Sequence, residues 1–299
     1  MKPAIDRDRA VETLRAAVER GQLERTRVVP ALDALATTEP GDAEVAAAVI
    51  AFGEAMFAHV FGERVQIDVL ERCLRLLARG EHRQALPFYR AAVGLHVPTP
   101  RGDLACTVRA VALVAIHALE PRESRYLAAA LLGGRADSGE PARSALAVLG
   151  AAGEDVAILL ACNTVLAGDV PLTVAALEQL TADVPAAAFW TVAAPVVGDR
   201  FSDAVLAITD IIVGGRRSDL VPGFGEALVE VSDPDLMRAV LLSLGSAHLD
   251  GLDAAFAAVV ERAPRRALEA VADALEMTRI PTQEKLLQRV QQRLRGEER

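Results

Sequence analysis

The stretch Asp233-Pro234-Asp235-Leu236-Met237-Arg238-Ala239-Val240-Leu241-Leu242-Ser243-Leu244-Gly245 decides the fold class. Leu236, Val240 and Leu244 recur at i, i+4 and i+8, which places them on one face of a helix of 3.6 residues per turn. Ser232 and Asp233 precede Pro234, and a capping side chain followed by a residue with no N–H to leave unsatisfied is the signature of a helix start. The same pairing of signals recurs at Ser138-Gly139-Glu140-Pro141 and at Gly168-Asp169-Val170-Pro171, and Leu268, Val271 and Leu275 repeat the buried stripe. Working outward, the periodicity predicts helices near 7–20, 29–37, 42–61, 65–79, 82–95, 102–119, 122–132, 141–150, 154–166, 171–181, 185–197, 202–213, 222–231, 234–246, 251–262, 264–276 and 281–295, with little strand signal between them. Short helices on short connections must lie beside their chain neighbours as antiparallel hairpins, so the expectation is an all-α stack of helix pairs.

Composition agrees: 52% of the 299 residues are apolar, only 4% are aromatic and the formal net charge is −9. Few aromatic residues argue against a β-sandwich or barrel. No third of the chain is net basic, which lowers the expectation of phosphate binding, since such affinity comes from Lys and Arg neutralising phosphates. Lys2 and Lys285 are the only lysines, a usage that fits a GC-rich genome of bacterial type and removes meaning from the abundance of Arg. Cys73, Cys106 and Cys162 are odd in number and set in apolar helical surroundings, and read as reduced core residues of a cytoplasmic protein. The charged N-terminus carries no export signal, and the longest stretch free of charge, Val184 to Gly198, is interrupted by Pro185 and Pro195 and too short to span a bilayer.

An internal echo supports repetition. Leu132-Gly133-Gly134-Arg135 with Pro141 matches Val213-Gly214-Gly215-Arg216 with Pro222 at an offset of 81, Leu172 matches Leu252 at 80 and Pro185 matches Pro264 at 79. With Ala142-Arg143-Ser144-Ala145-Leu146-Ala147-Val148-Leu149-Gly150 and the 233–245 stretch as its best-matching segments, the chain resembles the HEAT-like helical-repeat group. The resemblance covers 121–280, leaving 1–120 as an N-terminal helical region that shares only the helical character, as divergent repeats would, and 281–299 as a C-terminal capping helix and tail. It implies a curved α-solenoid whose second helices line a concave binding surface, and it implies no particular ligand.

No assembled catalytic constellation is visible. His59 with Glu63 and His117 with Glu120 each place two ligands on one helix face, too few for a metal, and no His-Glu pair of the iron-binding helical-repeat hydroxylases is present. No cofactor and no metal is expected. Gly-Gly-Arg at 133–135 and 214–216 reads as helix ends, with glycine supplying the left-handed cap. A sharper reading makes Arg216 and Arg217, followed by Ser218, an anion-holding turn, with Phe224 exposed for contact between Gly223 and Gly225. Trp190, beside Phe189, reads first as core packing. HEAT-like DNA glycosylases, similar in architecture, pair a Trp with an Asp one helical turn on. Here that position is Ala194, and Asp199 and Arg200 lie beyond it. The candidate binding residues are therefore Trp190, Arg200, Arg216, Arg217 and Phe224. The expected function is a non-enzymatic adaptor, scaffold or regulatory subunit that binds a partner protein on its concave face. The rival is a nucleic-acid-binding or DNA-repair role through the same residues.

Overall fold

The computed structural model describes residues 6–58, 66–100, 102–133, 139–278 and 280–296. The chain divides by packing into two compact units, Met1–Ala152 and Gly153–Arg299. The first holds α1 (Arg7–Arg20), α2 (Arg25–Leu35), α3 (Ala43–Phe57), α4 (Ile67–Ala78), α5 (Leu86–Val93), α6 (Cys106–Leu119), α7 (Pro121–Gly133) and α8 (Gly139–Ala151). The second holds α9 (Asp155–Thr164), α10 (Val170–Leu177), α11 (Ala186–Ala193), α12 (Ser202–Gly214), α13 (Val221–Ala227), α14 (Pro234–Ser246), α15 (Leu252–Arg262), α16 (Leu268–Met277) and α17 (Gln283–Arg295).

Within each unit most helices pack on a chain neighbour, on the helix two along, or on both. In the first unit α1, α3 and α5 form one row and α2, α4, α6 and α8 the other, tied by the pairs α1 with α2, α3 with α4, and α5 with α6. In the second unit α10, α12, α14 and α16 form one row. The other runs from α9 to α11, through the turn Ser218–Leu220, and from α13 to α15 and α17. The basis is the two-sided burial of each helix: α14 buries Leu236, Val240 and Leu244 together with Met237 and Leu241, so its apolar surface is wider than a single stripe.

Helix starts follow the capping chemistry. Asp233 accepts the N–H groups of Asp235 and Leu236 with Pro234 in the first turn, and Asp169 accepts that of Leu172 with Pro171 in the first turn. Several expected boundaries move by about one turn, two of them at the helix starts of α2 and α6. α2 begins at Arg25 rather than near Pro30, because Pro30 lies on the exposed side of the helix, where the carbonyl it leaves unpaired faces water. α6 begins at Cys106, not 102: Pro98–Thr99 (β1) and Gly102–Asp103 (β2) form a short antiparallel ladder first, made possible by Gly102 at φ +120°. The glycine reading of the 214–216 turn is also corrected. Gly215 has an ordinary right-handed conformation and is needed because a Cβ there would stand 2.9 Å from the carbonyl oxygen of Ile211. The left-handed residue is Arg216, at φ +50°.

A polar device recurs three times in the second unit. An aspartate accepts both the backbone N–H and the side-chain hydroxyl of a Ser or Thr more than twenty residues on: Asp155 with Thr181, Asp199 with Ser232, and Asp253 with Thr282. Each clasp joins the start of one helix to the segment after a later one. Close backbone approach is the complementary device. At Gly225 of α13 a Cβ would lie 2.4 Å from Ala255 Cα and 2.7 Å from its carbonyl oxygen on α15. Gly225→Ala is expected to force α13 and α15 apart at a cost of about 1–3 kcal/mol. Gly133→Ala, where nothing lies within 4 Å, should change stability by less than about 0.5 kcal/mol. Equal denaturant midpoints for the two variants would refute that packing account.

Candidate functional site

The sequence candidates separate into a joint and two outliers. Trp190 on α11 donates its Nε1–H to the carbonyl oxygen of Leu220 at 3.2 Å and stacks on Phe224, with ring centroids 5.7 Å apart and planes at 18°. Phe189 meets the indole edge-on at 5.3 Å. Gly223 gives the indole its room, since a Cβ there would stand 2.4 Å from Trp190 Nε1. Phe224 is fully buried, so the expectation that it is exposed for contact is wrong: with Val221 and Leu228 it faces inward from α13 and its short extension. Trp190 and Phe224 together form an aromatic joint between α11 and α13.

Arg217 belongs to the same joint. Its side chain is 10% exposed, its Nε and Nη2 meet the carboxylate of Asp219 at 2.8 and 2.7 Å, and its Nη groups donate to the carbonyl oxygens of Val184 at 2.7 Å and Thr181 at 3.3 Å. The carboxylate of Asp219 holds the guanidinium protonated more firmly than usual, and the guanidinium lowers the pKa of Asp219 in turn. An anion-holding role for Arg217 is thereby corrected, because its donors are already committed within the fold. Arg200 and Arg216 are exposed, but they flank opposite ends of α12, whose thirteen residues extend about 20 Å. They do not converge on one ligand. Asp199 is held by Ser232 and Arg266: partial desolvation raises its pKa, but hydrogen bonds from Ser232 and Asp233 and the Arg266 charge outweigh this and leave it low.

The histidine pairs divide similarly. His59 and Glu63 lie outside the described residues. His117 Nδ1 lies 2.9 Å from the hydroxyl of Ser124, while Glu120 pairs with Arg83 at 3.2 Å, so the two do not act together as ligands. Among the described residues no group of three or more His, Cys, Asp and Glu is arranged to hold a metal ion. The three cysteines are buried free thiols, and burial pushes Cys73 up to about 12 and Cys162 up to about 11, which disfavours the reactive thiolate. No helix among the described residues is long and apolar enough to cross a membrane.

One polar cluster escaped sequence reasoning. Asp103 Oδ1 accepts the N–H groups of Val97 and Ala105 at 2.9 and 2.8 Å, and its Oδ2 meets His96 Nδ1 at 2.9 Å and Arg109 Nη2 at 3.0 Å. Cys106 donates its thiol to the carbonyl oxygen of Asp103 at 2.8 Å. Desolvation raises the pKa of Asp103, but the two backbone donors, the Arg109 charge and His96 together bring it below the usual carboxylate range. One ring nitrogen of His96 lies on Asp103 and the other 3.4 Å from Arg109. The cluster clamps the turn into α6. Asp103 and Arg109 are six residues apart, a spacing that puts two residues on different faces of one helix. They meet because Asp103 lies before the helix begins.

The row α10–α12–α14–α16 carries an open surface recess. Between α10 and α12 runs an open groove of about 450 Å3, walled by Leu180, Ala182, Ala207 and Ile211 and flanked by Glu178 and Asp210. Leu206 on α12 is 41% exposed and Met277 at the end of α16 is 72% exposed. On α9, Val156 and Leu160 are 80% and 63% exposed, one turn apart. No protein-family model matches this chain, and neither a curated protein nor a solved structure matches it.

Two substitutions separate joint from surface. Phe224→Ala is expected to destabilise the protein by about 3–5 kcal/mol in denaturant unfolding, while Leu160→Ser changes it by less than about 0.5 kcal/mol. A tolerated Phe224→Ala would return Phe224 to the list of contact residues. For Asp103, Asp103→Asn leaves Arg109, 3% exposed, without its counter-charge and should cost about 3 kcal/mol near neutral pH. The folded pKa is depressed, so this contribution is complete above the unfolded carboxylate value of about 4 and is lost as pH falls through the folded value. The difference between wild type and Asp103→Asn should accordingly shrink in acid, and a difference that grows on acidification would contradict the assignment.

Proposed function

We propose that this protein is a non-enzymatic interaction module, an adaptor, scaffold or regulatory subunit, built as a HEAT-like α-solenoid that docks a partner protein along the row α10, α12, α14 and α16. The reading rests above all on the groove between α10 and α12. It is an apolar recess on a row of stacked helices, with polar side chains at its rim, which is the anatomy of a docking surface rather than of a sealed core. Two-row packing supports it, because a row of helices covered on one side presents the same side of every helix outward. The residues that would carry nucleic-acid binding do not favour that alternative: Arg217 is neutralised by Asp219, and Arg200 and Arg216 stand at opposite ends of α12.

A photo-crosslinking residue at Leu206, with the same residue at the exposed Gln292 of α17 as reference, tests this in source cells. A discrete crosslinked protein from position 206, absent from 292 and unchanged by nuclease, is the expected result. Equal labelling from both positions, no adduct from 206, or an adduct that nuclease removes would overturn the reading.

A further inference from the structure

We infer that the partner segment is basic and amphipathic, a helix with Lys or Arg on the side of its apolar stripe, lying across the row α10–α12–α14–α16 with an anchor in the α10–α12 groove. This deepens the docking reading and rests on it. The groove itself is apolar, and what selects the occupant is the charge around it. Glu178 and Asp210 flank the recess from α10 and α12, and neither has an ion-pair or hydrogen-bond partner among the described residues. Along the same row, Asp203 shares a face with Leu206 and Asp210 at i, i+3 and i+7, α14 exposes Asp235, and α16 exposes Glu269 and Glu276 beside Met277. These carboxylates are also without partners among the described residues.

The row's own cations offset this field only in part: Arg200 and Arg216 are exposed at the two ends of α12, against six carboxylates without partners among the described residues. Arg238 on α14 is already paired with Asp273 on α16, and Arg217 at the end of the groove is paired with Asp219 and bound to two carbonyl oxygens. An anionic ligand such as nucleic acid would meet net repulsion, relieved only at the ends of α12 by Arg200 and Arg216, whereas a basic segment would gain a counter-charge at each helix and bury its apolar stripe on Leu206, Ile211 and the groove walls. Size is consistent. Four helices side by side at interaxial distances of about 8–10 Å span about 24–30 Å, the length of a helix of about 16–20 residues. The corresponding row of the first unit differs: Arg25 pairs with Asp68 and Arg72 with Asp33, so its charges are internally matched.

The test uses the full chain and a synthetic helix of about 18 residues, Leu on one face and Lys flanking it, read by fluorescence anisotropy at low and raised salt. A scrambled peptide of the same composition and an acidic counterpart serve as comparisons. The basic amphipathic peptide should bind best, with affinity falling as salt rises. The double substitution Glu178→Gln and Asp210→Asn should weaken it about fivefold or more. Glu12→Gln with Glu19→Gln on α1 makes the same change of net charge in the first unit and should leave binding within about twofold. Circular dichroism confirms that each variant is folded; all four positions are surface carboxylates without partners. Equal binding of the scrambled peptide, equal loss in both double variants, or binding of the acidic peptide would overturn the inference. The two readings fail separately. If position 206 crosslinks a cellular partner that the basic peptide does not displace, docking stands and the basic partner falls; if position 206 captures nothing, both fall.

Discussion

The inner helices here must bury apolar surface on two sides at once. Helices of seven to fifteen residues are too short to be stable alone, and one hairpin neighbour covers only part of the apolar surface of a helix such as α14. The remainder is covered by the helix two along, and from that requirement follow the two rows of each unit. It also explains the small side chains. Rows of helices approach closely only where the contact residue is Ala or Gly, and Gly225 against Ala255 is the limiting case, with backbone meeting backbone. The largest buried side chains, among them Phe52, Phe88, Phe189, Phe224 and Phe256, then fill the spaces that this spacing leaves.

Apolar contact sets spacing but not register along a row, and the polar bonds supply it. In the first unit, arginine crosses between helices to a carboxylate, as in the bidentate contact of Arg7 with Asp42 and of Arg90 with Glu123. Such exposed pairs contribute little free energy each, but a planar fork accepts only a narrow range of orientations. In the second unit, aspartate clasps on Ser232, Thr181 and Thr282 do the same with shorter side chains. Binding two donors on one residue fixes that segment against the clasping helix. The joint at Trp190, Phe224 and Arg217 is the most elaborate case, with stacking, an indole hydrogen bond and a guanidinium on two carbonyl oxygens at one turn.

This is why the helices were legible in the sequence and the candidate groove was not. Periodicity, capping residues and prolines are local signals, and each expected segment has its helix. The errors lie where a local rule met a tertiary exception: Pro30 tolerated on a solvent face, and β1 and β2 inserted ahead of α6. The echo does not carry over into the packing: its offset of 79–81 pairs α10 with α15 and α11 with α16, helices of different rows, and the similar angles of Pro185 and Pro264 are the extended values that proline ordinarily adopts. The candidate residues fared differently. Trp and Arg are enriched at binding sites because they offer large area and several donors, and those properties serve an internal brace equally well. Only burial and partners distinguish the uses. Asp103, His96 and Arg109 make the converse point, since their contacts depend on a turn that no periodicity announces.

The distribution of committed and uncommitted charge then carries more information than the presence of any residue type. A side chain that braces a row is neutralised in the act, as Arg217 is by Asp219 and Arg238 by Asp273, and it contributes little field beyond the surface. What remains outside is the charge that no internal contact uses, Arg200 and Arg216 at the ends of α12 and a larger number of carboxylates. On α10, α12, α14 and α16 these carboxylates lie along one row and beside exposed apolar side chains, whereas on α2 and α4 the opposite charges are matched in place. Like charges gathered on one surface repel each other and oppose folding slightly. The fold tolerates the arrangement because exposed carboxylates in water repel weakly, and that weak cost would become a favourable term on contact with a surface of opposite sign, where the same groups are partly desolvated and paired.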